Sequence, residues 1–163
     1  MTPLWQLSAV EQAAGVKNRT FTATELVHSA LGRIEQMNAQ LNAIVDLLDE
    51  SALTAAQAAD AAVADCKALG PLHGVPVTVK VNVDTKGRAT TNGMEIFKDT
   101  IAPDHSPVVL NLLKAGAILI GRTNTPEMSM RLTTDNPLHG LTRNPWDLQA
   151  SPGGSSGGAA SAG

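Results

Sequence analysis

Several features that mark particular protein classes are scarce in this sequence of 163 residues. Its one cysteine, Cys66, excludes an internal disulfide and fits a reducing compartment. The 12 basic and 15 acidic residues give a net charge of -3, and no basic cluster forms a field for nucleic acid. No apolar run is long enough to span a membrane, and the N-terminus lacks a signal-peptide pattern. We therefore expect a cytoplasmic protein that binds neither nucleic acid nor membranes.

Metal and phosphate motifs are also lacking. The four histidines are scattered, without H-x-x-x-H or Cys/His spacing: His28, His73, His105 and His139. A glycine-rich stretch near the C-terminal end is followed by Ala159 and Ala160, where a phosphate-binding loop needs Lys and then Ser or Thr. The sequence therefore predicts neither a metal nor a cofactor.

The first half of the chain alternates helical and strand patterns. "SAVE" from Ser8 and "TATE" from Thr22 match the S/T-x-x-E capping box, and the second one predicts the start of a long amphipathic helix. "AIVDLL" is typical of a strand. The alanine-rich stretch from Ser51 to Leu69 predicts a helix that ends at Gly70, with Cys66 packed within it.

The second half continues this alternation. Ser106 as N-cap and Pro107 at the first helical position predict a helix through Leu113, which Gly116 closes. "AILIG" from Ala117 reads as a buried strand. Helices alternating with apolar strands predict an α/β fold, with a largely covered sheet flanked by helices.

The stretch "VPVTVKVNVD", Val75 to Asp84, predicts a strand with valines on one face and polar residues on the other. Lys80 lies on the polar face, and one interpretation is that it is only a solubilising surface charge.

The closing stretch "SPGGSSGGAASAG" also has two possible interpretations. It is either a flexible linker or a loop where the backbone approaches a ligand, and the preceding Trp146 and prolines favour the loop.

Three stretches together resemble the amidase signature family: "GVPVTVKVNV", "LLKAGAILIGRTNTPEMSM" and "TRNPWDLQASPGGSSGG". The resemblance implies the mixed sheet of that family, flanked by helices and incomplete in this chain. It also implies hydrolysis of a carboxylic amide C-N bond by a Ser, cis-Ser, Lys triad. In this reading residues 1–163 are the N-terminal part of a single amidase domain.

The resemblance assigns roles to individual residues. Lys80 is the base, and Ser155, with a cis peptide bond to Gly154, relays a proton between Lys80 and the nucleophile. Lys80 must then be neutral near pH 7, so its site has to desolvate it, and we expect its face of the strand to be covered. Ser156 supports the loop by hydrogen bonding, together with the glycines Gly153, Gly154, Gly157 and Gly158. Met128 and Met130 are candidates for lining the substrate cavity.

The family's nucleophilic serine and oxyanion hole have no counterpart in these residues. No G-x-S-x-G elbow occurs, and Ser161 lies too close to Ser155 in sequence. The remaining candidates lie at predicted helix starts or on helix faces: Ser8, Ser29, Ser51 and Ser106. We therefore expect the 163 residues to be inactive alone, with a small-molecule amide as the substrate of the full-length enzyme.

Two alternatives stay open. The chain is part of a tRNA-dependent amidotransferase A-type subunit, or it is a non-catalytic, truncated or pseudo-enzyme scaffold that acts, if at all, by binding. If the chain is truncated, we expect uncovered apolar surface, which favours aggregation or association with a partner or as a homo-oligomer. A genuine binding module would instead be monomeric or a defined oligomer, with a cooperative unfolding transition.

Overall fold

The computed structural model describes residues 2–163 and has an α/β fold. The helices are α1 (Ala9–Lys17), α2 (Ala23–Leu41), α3 (Asp49–Ala64), α4 (Pro107–Lys114) and α5 (Gly157–Ala162), and the strands are β1 (Ile44–Leu47), β2 (Pro76–Lys80) and β3 (Ile118–Thr123). The sheet order is β1-β3-β2, with β1 antiparallel to β3. The Ile118 amide donates to Val75, and the Val81 amide to Thr123, a progression typical of parallel strands. The sheet is therefore mixed, as predicted.

Both predicted capping boxes form. The Ser8 hydroxyl accepts from the Glu11 amide, and the Glu11 carboxylate accepts from the Ser8 amide. Thr22 and Glu25 make the same reciprocal pair at the start of α2. Each box satisfies helix N-terminal amides, which have no partner within the helix, so α1 and α2 begin where the sequence predicts.

The predicted end of the alanine-rich helix is wrong. α3 ends at Ala64, and Cys66 lies beyond it with a φ of 54° and an exposed side chain, so it is not packed within a helix. The Cys66 amide donates to Val63 and the Lys67 amide to Ala62. These two bonds form a Schellman motif, which ends the helix without needing Gly70.

Two further local predictions need correction. α4 begins at Pro107, but the Ser106 hydroxyl does not cap it, because this buried Oγ has no hydrogen-bond partner within residues 2–163. The strand predicted to reach Asp84 ends at Lys80, because the Val83 amide turns back to the Lys80 carbonyl at 3.0 Å.

One compact unit comprises residues up to Glu35, Leu48–Val77 and Leu110–Ile120. Its core cluster is wholly apolar and includes Leu26, Val27 and a stripe of small residues along α3. The stripe is Ala52, Ala56 and Ala59, whose spacing places them on one helix face. Within residues 2–163, no helix has the length and hydropathy to cross a membrane.

The second unit comprises Gln36–Leu47, Thr78–Val109 and Gly121–Gly163. Much of it has no regular secondary structure, and most of its buried polar residues lie around β3 and the loops that follow. These residues are Thr85, Thr91, Arg122, Thr123, Asn124, Thr125, Thr134, Asn136, Thr142 and Ser161. Lys80 and the C-terminal glycine-rich loop both belong to this unit.

Candidate active site

The structure brings Lys80 and the glycine-rich loop into contact. The Lys80 Nζ lies 3.1 Å from the Ser155 Oγ and 3.1 Å from the Ser156 Oγ. Lys80 is the last residue of β2, and the two serines directly precede α5. The closing stretch is therefore a packed loop rather than a flexible linker, and the contact recorded for the Ser156 hydroxyl is with Lys80.

Two threonine hydroxyls hold the loop. The Thr134 Oγ1 donates to the Gly153 carbonyl at 2.9 Å and accepts from the Gly157 amide at 3.0 Å. The Thr125 Oγ1 donates to the Ser155 carbonyl at 3.0 Å. The peptide bond between Gly154 and Ser155 is cis. Side chains from outside the loop therefore fix its backbone on both sides of Ser155.

Close packing explains the glycines on each side of the serines. A Cβ at Gly158 would collide with the backbone of Asn124 and Ala43, and one at Gly157 would collide with the Thr134 side chain. Gly154 packs against the Arg131 carbonyl, and Gly153 has a φ of +88°, which disfavours other residues. Three of these four positions thus have no room for a side chain.

The surroundings of Lys80 favour its neutral form. Burial lowers the pKa of the Lys80 amine below its ordinary value. Among residues 2–163, no carboxylate lies within ion-pair distance of it. The Lys80 side chain is half-buried, as are Thr78 and Asn82 on the same face, so the expected cover is present only in part. A neutral amine has a lone pair, so it can accept a proton from a neighbouring hydroxyl.

Met128 and Met130 lie in the turn after β3, with side chains 48% and 83% exposed. Their role as cavity-lining residues stays a prediction. The residue between them, Ser129, has a φ of 57°, and its Oγ lies 2.9 Å from the Thr125 hydroxyl and accepts from the Asn82 amide at 3.0 Å. A side-chain network therefore runs from Asn82 through Thr125 to the Ser155 carbonyl.

Sequence reasoning missed these supporting residues. A signal was present, because "TNT" at Thr123–Thr125 begins at the last residue of a fully buried strand. Polar residues in that position have to find buried partners, and here the Asn124 amide donates to Gly140 and Thr142. The Ser161 hydroxyl is also engaged, because it donates to the Arg143 carbonyl at 2.7 Å.

A second missed cluster centres on Asp46. Its carboxylate accepts two hydrogen bonds from Arg88 and one from Arg122, whose side chain is 1% exposed. Burial alone would raise the pKa of Asp46, but the two guanidinium groups outweigh burial and lower it. The signal was an arginine within the otherwise apolar "AILIGRT". No group of three His, Cys, Asp or Glu that could hold a metal occurs within residues 2–163.

Comparison with known proteins gives consistent matches. The family model described as Amidase matches residues 25–162. Over 160 residues the chain is 56% identical to "Indoleacetamide hydrolase" of Bradyrhizobium diazoefficiens, covering 98% of this chain and 30% of that relative. It is 41% identical to the A-type subunit of a glutamyl-tRNA(Gln) amidotransferase from Acidothermus cellulolyticus, covering 99% of this chain and 32% of the relative.

A solved structure matches over the same extent. A bacterial aryl acylamidase of the amidase signature enzymes is 35% identical, with a TM-score of 0.93, over 98% of this chain and 34% of that one. The chain thus spans about a third of the length of the proteins it matches. The family match over most of the sequence and the similarity of the fold agree with the resemblance carried by the three stretches. The chain belongs to the amidase signature family.

Proposed function

We propose that the protein hydrolyses a carboxylic amide, with Lys80 as the base and Ser155 as the proton relay. The observation that carries this proposal is the 3.1 Å contact between the Lys80 Nζ and the Ser155 Oγ. That distance allows direct proton transfer, and the lowered pKa of Lys80 favours the amine that must accept the proton.

The two contacts of Lys80 fit distinct roles. In the structure the Lys80 amine donates to both hydroxyls. A neutral amine has one lone pair and two N-H groups, so in this proposal the Ser155 hydroxyl turns to donate to Lys80, while Lys80 still donates to the Ser156 hydroxyl. Ser155 then takes the proton of the nucleophile as it passes its own proton to Lys80. The Thr125 hydroxyl on the Ser155 carbonyl holds the relay in position.

We propose that the nucleophile and the oxyanion hole belong to a part of the enzyme outside these 163 residues, which do not form an acyl-enzyme by themselves. The serine hydroxyls described here support this. Ser156 contacts Lys80, Ser129 contacts Thr125 and Asn82, and Ser161 is bonded to a carbonyl. In this proposal the 163 residues form the N-terminal part of one cytoplasmic amidase domain, and the family match over residues 25–162 supports the amidase assignment.

An arylacetamide is the substrate class we favour. The 56% identity to an indoleacetamide hydrolase supports it more strongly than the 41% identity to part of an amidotransferase supports transfer to tRNA. Indole-3-acetamide and phenylacetamide are therefore the first amides to test.

The experiment measures ammonia release from these amides by the protein isolated from its natural source. We expect hydrolysis by the wild type, loss by at least about 10³-fold in Lys80→Met and Ser155→Ala, and near-wild-type rates in the exposed control Lys114→Met. Equal activity in Lys80→Met and the control would contradict the proposed role of Lys80. Lack of hydrolysis with ammonia transfer to Glu-tRNA would favour the amidotransferase, and lack of both would favour a non-catalytic scaffold.

A fluorophosphonate probe tests the location of the nucleophile. We expect no covalent adduct by intact mass on the 163-residue polypeptide, because the Ser155 hydroxyl beside Lys80 acts as the relay in this proposal and the oxyanion hole lies outside these residues. Stoichiometric labelling of this polypeptide would show that one of its own serines is the nucleophile.

A further inference from the structure

A cavity of about 350 Å³ lies in the same unit as Lys80. Its size falls at the lower end of the range for small-ligand pockets, roughly 300 to 1,000 Å³. The polar residues that line it include Asp46, Arg88, Lys98, Arg122 and His139. The lining is mixed, because valine, isoleucine and leucine side chains also form part of the wall, together with Gly87, Ala89 and Thr91.

The cavity is separate from the candidate active site. Neither Lys80 nor the serines of the glycine-rich loop line it, whereas Val81, the neighbour of Lys80, does. Val81 lies in the turn that follows Lys80, the last residue of β2. Asp46 and Arg122 are register partners on β1 and β3, and their side chains share one face of the sheet.

The charges in this cavity do not balance. Arg88, Lys98 and Arg122 are positive, and Asp46 is the one carboxylate among the lining residues. The two arginines lower the pKa of Asp46 despite its burial, so it is already ionised at neutral pH. Burial lowers the pKa of His139, which keeps its ring neutral. Among the lining residues the excess is therefore two positive charges, and the Asp84 carboxylate, which does not line the cavity but acts on Arg122, offsets part of it. The remaining positive charge favours an anion and disfavours a metal ion.

Unused hydrogen-bond donors accompany this charge. Arg88 uses its Nε and Nη2 on Asp46, and its Nη1 has no protein partner within residues 2–163. Over the same range, the Lys98 amine contacts neither a carboxylate nor another acceptor. The buried Arg122 Nε also lacks a partner, while its Nη1 and Nη2 are bonded to Asp46 and to backbone carbonyls.

We propose that this cavity binds a small organic monocarboxylate with an apolar body. The Arg88 Nη1 and the Lys98 amine hold the carboxylate, because charge-assisted hydrogen bonds of this kind are the strongest available to an anion. Val45, Ile101 and Leu138 pack against the apolar body. The pairing of Arg88 with Asp46 orients the guanidinium fork and leaves its outer edge for the ligand.

Calorimetry on the protein from its natural source tests this with phenylacetate as the probe. Two control ligands are compared with it: 2-phenylethanol, which has the apolar ring but no charge, and inorganic phosphate, which has charge but no apolar body. We expect phenylacetate to bind and both control ligands to bind at least about tenfold more weakly. Lys98→Gln should weaken phenylacetate about tenfold or more, and Lys86→Gln, a nearby exposed lysine that does not line the cavity, should change little.

Arg88→Gln should weaken binding at least as much, but it also removes a partner of Asp46. Lys98→Gln is the decisive variant, because it breaks no ion pair within residues 2–163. Ser155→Ala should leave the affinity unchanged, which separates this cavity from a carboxylate bound at the candidate active site. No binding of phenylacetate, equal binding of phosphate, or an affinity that depends on Ser155 but not on Lys98 would each overturn the proposal.

Discussion

The unit that contains α1 and α3 and the unit that carries Lys80 bury different kinds of side chain. The first has a core cluster of valine, leucine, isoleucine and alanine, and its only buried polar side chain within the described residues is Gln12. The second buries threonines, asparagines and an arginine that bond to loop backbone. Apolar burial stabilises a fold without directional contacts, whereas buried hydrogen bonds fix the positions of particular atoms.

This difference follows from what each unit has to do. Helices satisfy their own backbone, so apolar packing is enough to hold them. Loops cannot, and their buried amides and carbonyls need side-chain partners. In the second unit such partners hold the loop that contains Ser155, and precise placement of that loop is what the proposed proton relay requires.

The largest loss of stability is expected from Asp46→Asn. This change leaves the buried Arg122 charge without its carboxylate, and breaking a buried pair on one side costs about 3 to 5 kcal/mol. Urea unfolding measures it. The control is Asp65→Asn in the first unit, which breaks an exposed pair with Lys67 and should cost about 1 kcal/mol or less. Equal losses in the free energy of unfolding for the two variants would mean that the buried Asp46 pair stabilises the fold no more than an exposed pair does.

The next test removes a buried hydroxyl from the second unit and adds one to the apolar core of the first unit. Thr134→Val leaves the Gly153 carbonyl and the Gly157 amide without partners, and we expect a cost of about 2 kcal/mol together with impaired hydrolysis. Val27→Thr buries an unpaired hydroxyl in the apolar core at a cost of about 1 to 3 kcal/mol, with the rate per folded molecule unchanged. Unfolding curves and kcat measured together test both. A Thr134→Val variant with normal kcat would contradict the conclusion that these buried hydrogen bonds position the loop for hydrolysis.

Replacing each of two glycines by alanine should change stability in opposite directions. Gly158→Ala places a methyl group against the backbone of Asn124 and Ala43, which should cost about 1 to 3 kcal/mol. Gly32→Ala, in the interior of α2, meets nothing within 4 Å and should stabilise by about 0.5 to 1 kcal/mol. Thermal unfolding distinguishes the two signs. Stabilisation by Gly158→Ala would show that the loop is less tightly packed than described.

The smallest effect is a displaced pH profile. Burial lowers the pKa of Lys80. If its neutral form is the base, as proposed, kcat/KM should rise with pH and reach its plateau below the ordinary lysine pKa of about 10.4. Burying its charge opposes folding at low pH, so the contribution of Lys80 to stability improves as pH rises through the folded pKa. Lys80→Met should remove this pH dependence from any residual rate. If kcat/KM of Lys80→Met still rises with pH, the titrating group is a residue other than Lys80.

The sequence predicted the scaffold better than the support of the site. Capping boxes and apolar periodicity are local signals, so α1, α2 and β3 were predictable, and the family resemblance assigned Lys80 and Ser155. Thr125 and Thr134 were not predictable, because their partners lie 30 and 19 residues away in the loop. The end of α3 was also missed, since a non-glycine residue, Cys66, adopts the left-handed conformation there.

The most direct test of the central claim is a double-mutant cycle on amide hydrolysis by the protein from its natural source. Lys80→Met, Ser155→Ala and the double variant are compared with the wild type at one pH. If Lys80 and Ser155 form one proton relay, either single change already removes it, and the double variant should be about as slow as the slower single variant. If the two losses multiply in the double variant, the residues act independently, and the relay described here is wrong.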